Sequence, residues 1–297
     1  MSSVPTETRW NILYRGSLSS CNYDCAYCPF AKTTNTRPEL DADAAALARF
    51  VEWVGQQTRE IGVLFTPWGE AMVHRYYQRQ LGELSHYPHV RRVAVQTNLS
   101  GGTSWLADAD LATVALWTTY HPSQISRADF LAKCAELDRL GARYSVGMVG
   151  LRDDLPEIEA MRASLDDSIY LWVNAYKDEP GHYIEQDIDR LTAVDPLFPV
   201  NLNDYASRGQ PCRAGHTSFT VDHEGTARRC HFIEEPIGNI FDDAFADRLQ
   251  PSDCTKAICD CHIGYVHRPE LGLYEVFGEG LLERIPDARL LVRQAPA

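Results

Sequence analysis

Three cysteines stand within eight residues, Cys21-Asn22-Tyr23-Asp24-Cys25-Ala26-Tyr27-Cys28, with three and then two residues between them. A spacing this short ties the loop to whatever the sulfurs grip. Soft thiolates select iron–sulfur clusters or zinc. A structural zinc site asks for a fourth ligand, usually from a second knuckle, and no fourth ligand lies nearby in sequence. Three thiolates suit three irons of a [4Fe–4S] cube, leaving one iron open to another ligand. A zinc knuckle, or thiols that merely cluster, are the alternatives.

The cysteine loop directly follows a β-rich stretch, Trp10 to Gly16, which reads as a strand. Beyond it, Leu47, Phe50, Val51 and Val54 form the stripe of a core-facing helix that Asp41 or Asp43 can cap. Ile61–Phe65, Val90–Gln96, Val114–Tyr120, Tyr144–Val149 and Ile169–Val173 read as further strands. Tyr76–Leu84, Arg127–Leu140 and Leu155–Ala163 read as helices. Cys134 falls on the apolar face of one of them and reads as core. Strands and helices alternating in this way predict an α/β fold of parallel βα units. In such sheets ligands gather at the carboxyl ends of the strands, where the cysteine loop also falls.

Composition excludes several functions. A formal net charge of −13 argues against a nucleic-acid binder, which would carry a basic face. It suits a cationic partner, or simply a well-solvated surface. No run of 18 apolar residues exists, so no membrane span is expected. Met1 to Arg9 lacks the apolar stretch of a signal peptide. The expectation is a cytoplasmic protein, whose nine cysteines serve as metal ligands or reactive thiols rather than disulfides.

The C-x3-C-x2-C spacing, with Tyr27 before its last cysteine, resembles the signature of radical S-adenosylmethionine (SAM) enzymes. The resemblance covers roughly residues 10 to 180 and implies a partial (βα)6 TIM-like barrel, with Cys21, Cys25 and Cys28 holding a [4Fe–4S] cluster that binds SAM. The family's glycine- and glutamate-bearing turn after the second strand matches Gly69 and Glu70, with Glu70 expected to accept from the SAM ammonium. Trp68 replaces that turn's first glycine. Further SAM contacts are implied at Thr97 and Asn98, at Thr119 and His121, at Val149, and at Tyr27 beside the cluster. The implied chemistry is reductive cleavage of SAM to a 5′-deoxyadenosyl radical that abstracts a substrate hydrogen atom, fed by a one-electron donor such as flavodoxin or ferredoxin.

The second part holds Cys212, Cys230, Cys254, Cys259 and Cys261. Phe219 to Gly225 reads as a strand and turn of a hairpin that brings Cys212 toward Cys230. This pattern resembles the SPASM and twitch extensions of radical SAM enzymes and implies a second, auxiliary [4Fe–4S] cluster. Five cysteines compete for four ligand positions: Cys212, Cys230, Cys259 and Cys261 are the expected ligands, with Cys254 spare and open to exchange with Cys259 or Cys261. Zinc with His231 or His262 is the alternative.

The expected division is a barrel at 1–195 and a cysteine-rich, twitch-like extension with a C-terminal tail at 196–297. A spare thiol beside two clusters resembles aminoglycoside epimerases, in which a cysteine returns the hydrogen atom. It implies Cys254 as catalytic donor and a polar, polycationic amino-sugar substrate. Asp178, Glu179, Glu234 and Glu235 are candidate ammonium partners. A maturase of ribosomal peptides, or another small-molecule oxidoreductase, is the competing reading.

Overall fold

A computed structural model describes residues 9–287 and Arg289. Most of Met1 to Arg9, where a targeting signal would stand, and the end of the C-terminal tail lie outside the described residues. Six parallel strands run in sequence order: β1 (Trp10–Tyr14), β2 (Ile61–Phe65), β3 (Val90–Thr97), β4 (Val114–Thr119), β5 (Arg143–Val149) and β6 (Leu171–Asn174). Between or after them lie α1 (Arg37–Gly55), α2 (Arg75–Ser85), α3 (Arg127–Leu140), α4 (Leu155–Ser164) and α5 (Glu185–Val194). The crossover from β3 to β4 carries only a 3-10 turn, Ser104–Asp108. No helix is long and apolar enough to cross a membrane among the described residues.

Strand side chains alternate between two faces. Val63, Phe65, Val93, Val95 and Leu116 join Leu47, Phe50, Val51 and Val54 of α1 in the outer core. Leu64, Ala94, Trp117 and Trp172 point the other way, into the concave face. The C-terminal segment fills that face with α7 (His262–Tyr265), α8 (Leu273–Phe277), Leu281 and Leu282. It is pinned by Glu283, fully buried, which pairs with Arg92 at 3.3 Å and Arg143 at 2.8 Å near the amino ends of β3 and β5. Arg284 stacks over Trp172 at 4.5 Å.

The remaining elements are α6 (Phe198–Leu202) and the strands β7 (Tyr205–Ala206), β8 (Pro211–Cys212), β9 (Ser218–Val221), β10 (Thr226–Arg228), β11 (Pro236–Asn239), β12 (Ser252–Asp253) and β13 (Ile258–Cys259). The hairpin expected around Gly225 forms as β9 and β10. Its first strand pairs in parallel with β1, so one nine-stranded sheet runs β11-β10-β9-β1-β2-β3-β4-β5-β6.

The start of α1 differs from the expectation. Thr36 caps it, with Glu39 completing a capping box, and Asp43 lies buried within the helix. The acid is taken by a tertiary contact, described next.

Candidate functional site

The cysteine loop is held from three directions before its first sulfur. Asp43 Oδ1 accepts from Ser17 N at 2.7 Å, Ser17 Oγ at 3.0 Å and Leu18 N at 3.0 Å, while Oδ2 accepts from Tyr76. Asn35 Oδ1 accepts from the amides of Ser19 and Ser20, each at 2.8 Å. Finally Gly69 N and Glu70 N donate to the carbonyls of Leu18 and Ser20, at 3.2 and 3.1 Å. A Cβ on Gly69 would overlap the Ser20 carbonyl. Glycine is needed there because backbone meets the backbone of the cysteine loop.

Cys21, Cys25 and Cys28 line one cavity of about 240 Å³ with Trp68, Gly69, Glu70, Thr97, Asn98, Thr119 and His121. Burial pushes the Cys21 and Cys25 thiols up. Three soft donors on one cavity, with no fourth thiol lining it, fit a cluster gripped at three corners. Among the described residues, no three His, Cys, Asp or Glu side chains are set to hold a metal ion; a cube spaces its thiolates more widely than a single ion does.

Glu70 is buried, and both oxygens already have donors: Oε1 accepts from Met72 N and Thr97 Oγ1, Oε2 from Asn98 N at 2.6 Å. It therefore fixes the end of β3. Asn98 Nδ2 donates to Asn22 Oδ1 at 3.1 Å and lies 3.7 Å from Cys21 Sγ. Tyr27 hydroxyl meets His121 Nδ1 at 2.6 Å, and burial lowers His121 to about 4, so the imidazole is neutral. Val149 ends β5 but does not line this cavity. Sequence reasoning missed Asp43, which it read as a cap, and Lys32, which holds the loop through Asp24 Oδ1 and the Cys25 carbonyl.

The second group forms around short strand pairs. β8 pairs with β12, setting Cys212 opposite Ser252, and Cys254 N donates to Gln210 O at 2.9 Å. Arg229 reaches from beside Cys230 to the Ser252 carbonyl at 2.6 Å. β13, ending in Cys259, pairs with β7. Burial raises Cys230 to about 11 and Cys259 to about 12, and both feel the charges of Cys212 and Cys254. The main charge neighbours of Cys261 are instead Asp260, Arg284 and Arg15. The charges acting on Cys230 and Cys259 thus include Cys254 and not Cys261. His262 packs edge-on against Trp117 at 5.4 Å, inside the concave core.

Trp68 links the two groups. Its ring centre lies 4.2 Å from that of Phe30, two residues after Cys28, and 4.8 Å from that of His231, next to Cys230. The four acids expected to face an ammonium, Asp178, Glu179, Glu234 and Glu235, are all exposed. Glu179 accepts from His182 at 3.1 Å and lines a separate cleft of about 820 Å³ with Asp153, Asp187, Arg152 and Arg190.

No family model and no curated protein matches the sequence. Solved structures match the fold. A structure of anSMEcpe with bound AdoMet and Cp18Cys peptide has a TM-score of 0.54 at 14% identity, over 81% of this chain and 80% of that one. The same protein with AdoMet alone has a TM-score of 0.54 at 13% identity, over the same shares. BtrN in complex with AdoMet and 2-DOIA covers 84% of this chain and 88% of that one at 16% identity, with a TM-score of 0.37 that is too low to bear on the fold. This chain has the fold of anSMEcpe.

Proposed function

We propose that this chain is a radical SAM enzyme that removes a hydrogen atom from a polar small molecule and returns one from a cysteine, inverting a carbon centre. One observation carries the reading: the three closely spaced thiols share a cavity with the carboxyl ends of β2, β3 and β4, in a fold shared with a protein solved with AdoMet bound. Cys21, Cys25 and Cys28 would hold the [4Fe–4S] cluster. Bound there with SAM, it supplies a carbon-centred radical able to take hydrogen from an unactivated C–H bond.

The chain's own residues orient and enclose. Gly69 and Glu70 lock the cysteine loop to the end of β2. Thr97 and Asn98, fixed by Glu70, present a hydroxyl and an amide to the cavity. His121 is held neutral and oriented by Tyr27, so it offers no charge to the reaction and can exchange a hydrogen bond with a ribose hydroxyl.

Cys212, Cys230, Cys254 and Cys259 are the proposed ligands of a second [4Fe–4S] cluster. That leaves Cys261 as hydrogen donor, which revises the sequence-based choice of Cys254. Its S–H bond breaks homolytically as a C–H bond forms on the face opposite abstraction. One electron from a flavodoxin- or ferredoxin-like reductant and one proton from solvent then restore the thiol.

The test is anaerobic reconstitution with SAM and dithionite. 5′-Deoxyadenosine and methionine should appear, and the Cys21/Cys25/Cys28→Ala triple variant should form neither. Absence of both from a protein carrying about eight irons refutes the reading. About four irons with bound zinc would remove the second cluster. In D2O, inversion should place one deuterium at the reacting carbon. An oxidised product without deuterium would favour a peptide maturase or small-molecule oxidoreductase.

A further inference from the structure

Arg15 follows the last residue of β1 and sits between the two cysteine groups. It is 8% exposed. Its guanidinium carbon lies 4.3 Å from the ring centre of Trp68, which lines the cysteine cavity. Nε is sealed and unbonded, and among the described residues no carboxylate or carbonyl accepts from the two terminal nitrogens, which are not sealed. The acids around it are committed elsewhere. Glu70 serves Met72, Thr97 and Asn98. Asp222, which follows the strand neighbour Val221, accepts from Glu224 N, Thr226 N and Arg228.

A buried guanidinium without a counter-charge is costly, because desolvation is not offset by an ion pair. Burial alone lowers Arg15 to about 10, with Cys261 acting in the opposite direction. Trp68 covers one face of the guanidinium, and a ring stacked on a face leaves the in-plane N–H fork free. A carboxylate matches that fork with two parallel hydrogen bonds. A phosphate dianion would call for a second cation, and the neighbouring ones have partners: Lys32 serves Asp24 and the Cys25 carbonyl, Arg228 pairs with Asp222, and Lys256 lies 3.5 Å from Asp260.

We propose that Arg15, backed by Trp68, is a carboxylate subsite for the substrate, between the two cysteine groups. The assignment rests on reading the strand ends as the reaction chamber and names the substrate class: a carboxylate-bearing small molecule. A polycationic sugar would bring like charge to Arg15.

Bromide is the probe. Crystals of the full chain carrying its clusters are soaked in sodium bromide, and anomalous diffraction is recorded at the bromine edge. A peak within contact of the Arg15 terminal nitrogens is expected, lost in Arg15→Met at unchanged iron content. Acetate should displace it at lower concentration than phosphate. Arg15→Lys keeps the charge without the fork, so bromide should stay and the preference for acetate should vanish; this variant decides the matter if the methionine variant fails to fold. No peak at Arg15, a peak that survives in Arg15→Met, or phosphate displacing better than acetate each overturns the assignment. So does a SAM soak that puts the SAM carboxylate on Arg15. Bromide at Arg15 in a protein that never cleaves SAM would keep the anion site and sink only the radical reading.

Discussion

Gly69→Ala probes the joint between the turn after β2 and the cysteine loop. The added Cβ would overlap the Ser20 carbonyl oxygen and come within 2.7 Å of the carbonyl carbon, where ordinary contact begins at 3.4 Å. Gly69 is not among the residues with positive φ, so the cost is steric only. The segments must part by about an ångström in a close-packed region. That breaks the hydrogen bonds to Leu18 and Ser20, at about 1 kcal/mol net each, and adds overpacking of about 1–3 kcal/mol. The expected loss is about 3–5 kcal/mol, read as a lower urea midpoint at unchanged slope. Because Ser20 immediately precedes Cys21, iron bound at the first site should fall as well. Gly102→Ala, where an added Cβ meets nothing within 4 Å, is the matched control. Equal midpoints and iron content in both variants would refute the account of the joint.

Other expectations are independent. Cys254→Ala should lower bound iron toward about four atoms per chain, whereas Cys261→Ala should keep the iron and abolish solvent deuterium at the product carbon; the reverse pattern restores the sequence-based choice. Glu283→Ala strands Arg92 in the core and should cost about 3–5 kcal/mol, measured by denaturant unfolding. Burial holds His267 near 4, below its ordinary 6.5, while the unfolded chain takes up that proton. Stability should therefore be fully present above about pH 6.5 and fall toward pH 4; His267→Gln should flatten that limb in thermal melts across the range.

Periodicity made much of the fold legible. The run Ile61–Phe65 and the apolar face of Arg127–Leu140 are strand β2 and helix α3 with those bounds, because burial on a fixed face imposes a repeat. Which of the five later thiols is spare is not legible in sequence, since their placement depends on pairing among β7, β8, β12 and β13, each two residues long, too short to show a pattern. Asp43 resembles a cap in sequence, and only the return of Ser17 from distant chain gives it another use. Glu70 was found at the right strand end, but no local signal says that Met72, Thr97 and Asn98 fill its oxygens. A lone arginine after a strand is ordinary in sequence. Arg15 became informative only when its surroundings proved to hold no spare acid.

The parallel pairing of β9 with β1 makes the two cysteine groups parts of one lattice of hydrogen bonds. β1 runs into the loop with Cys21, and the hairpin on its other flank runs into Cys230. Separation between them is set by strand spacing, not by a linker, so it cannot relax by hinging. A chain cut near residue 195 would leave β1 as a bare edge and empty the concave face over Trp117 and Trp172. Exposed edges of that kind pair with other chains. Evolutionary exchange of the segment after residue 195 for another module would therefore have to supply a strand for β1 and a plug for the concave face, whatever chemistry it brought.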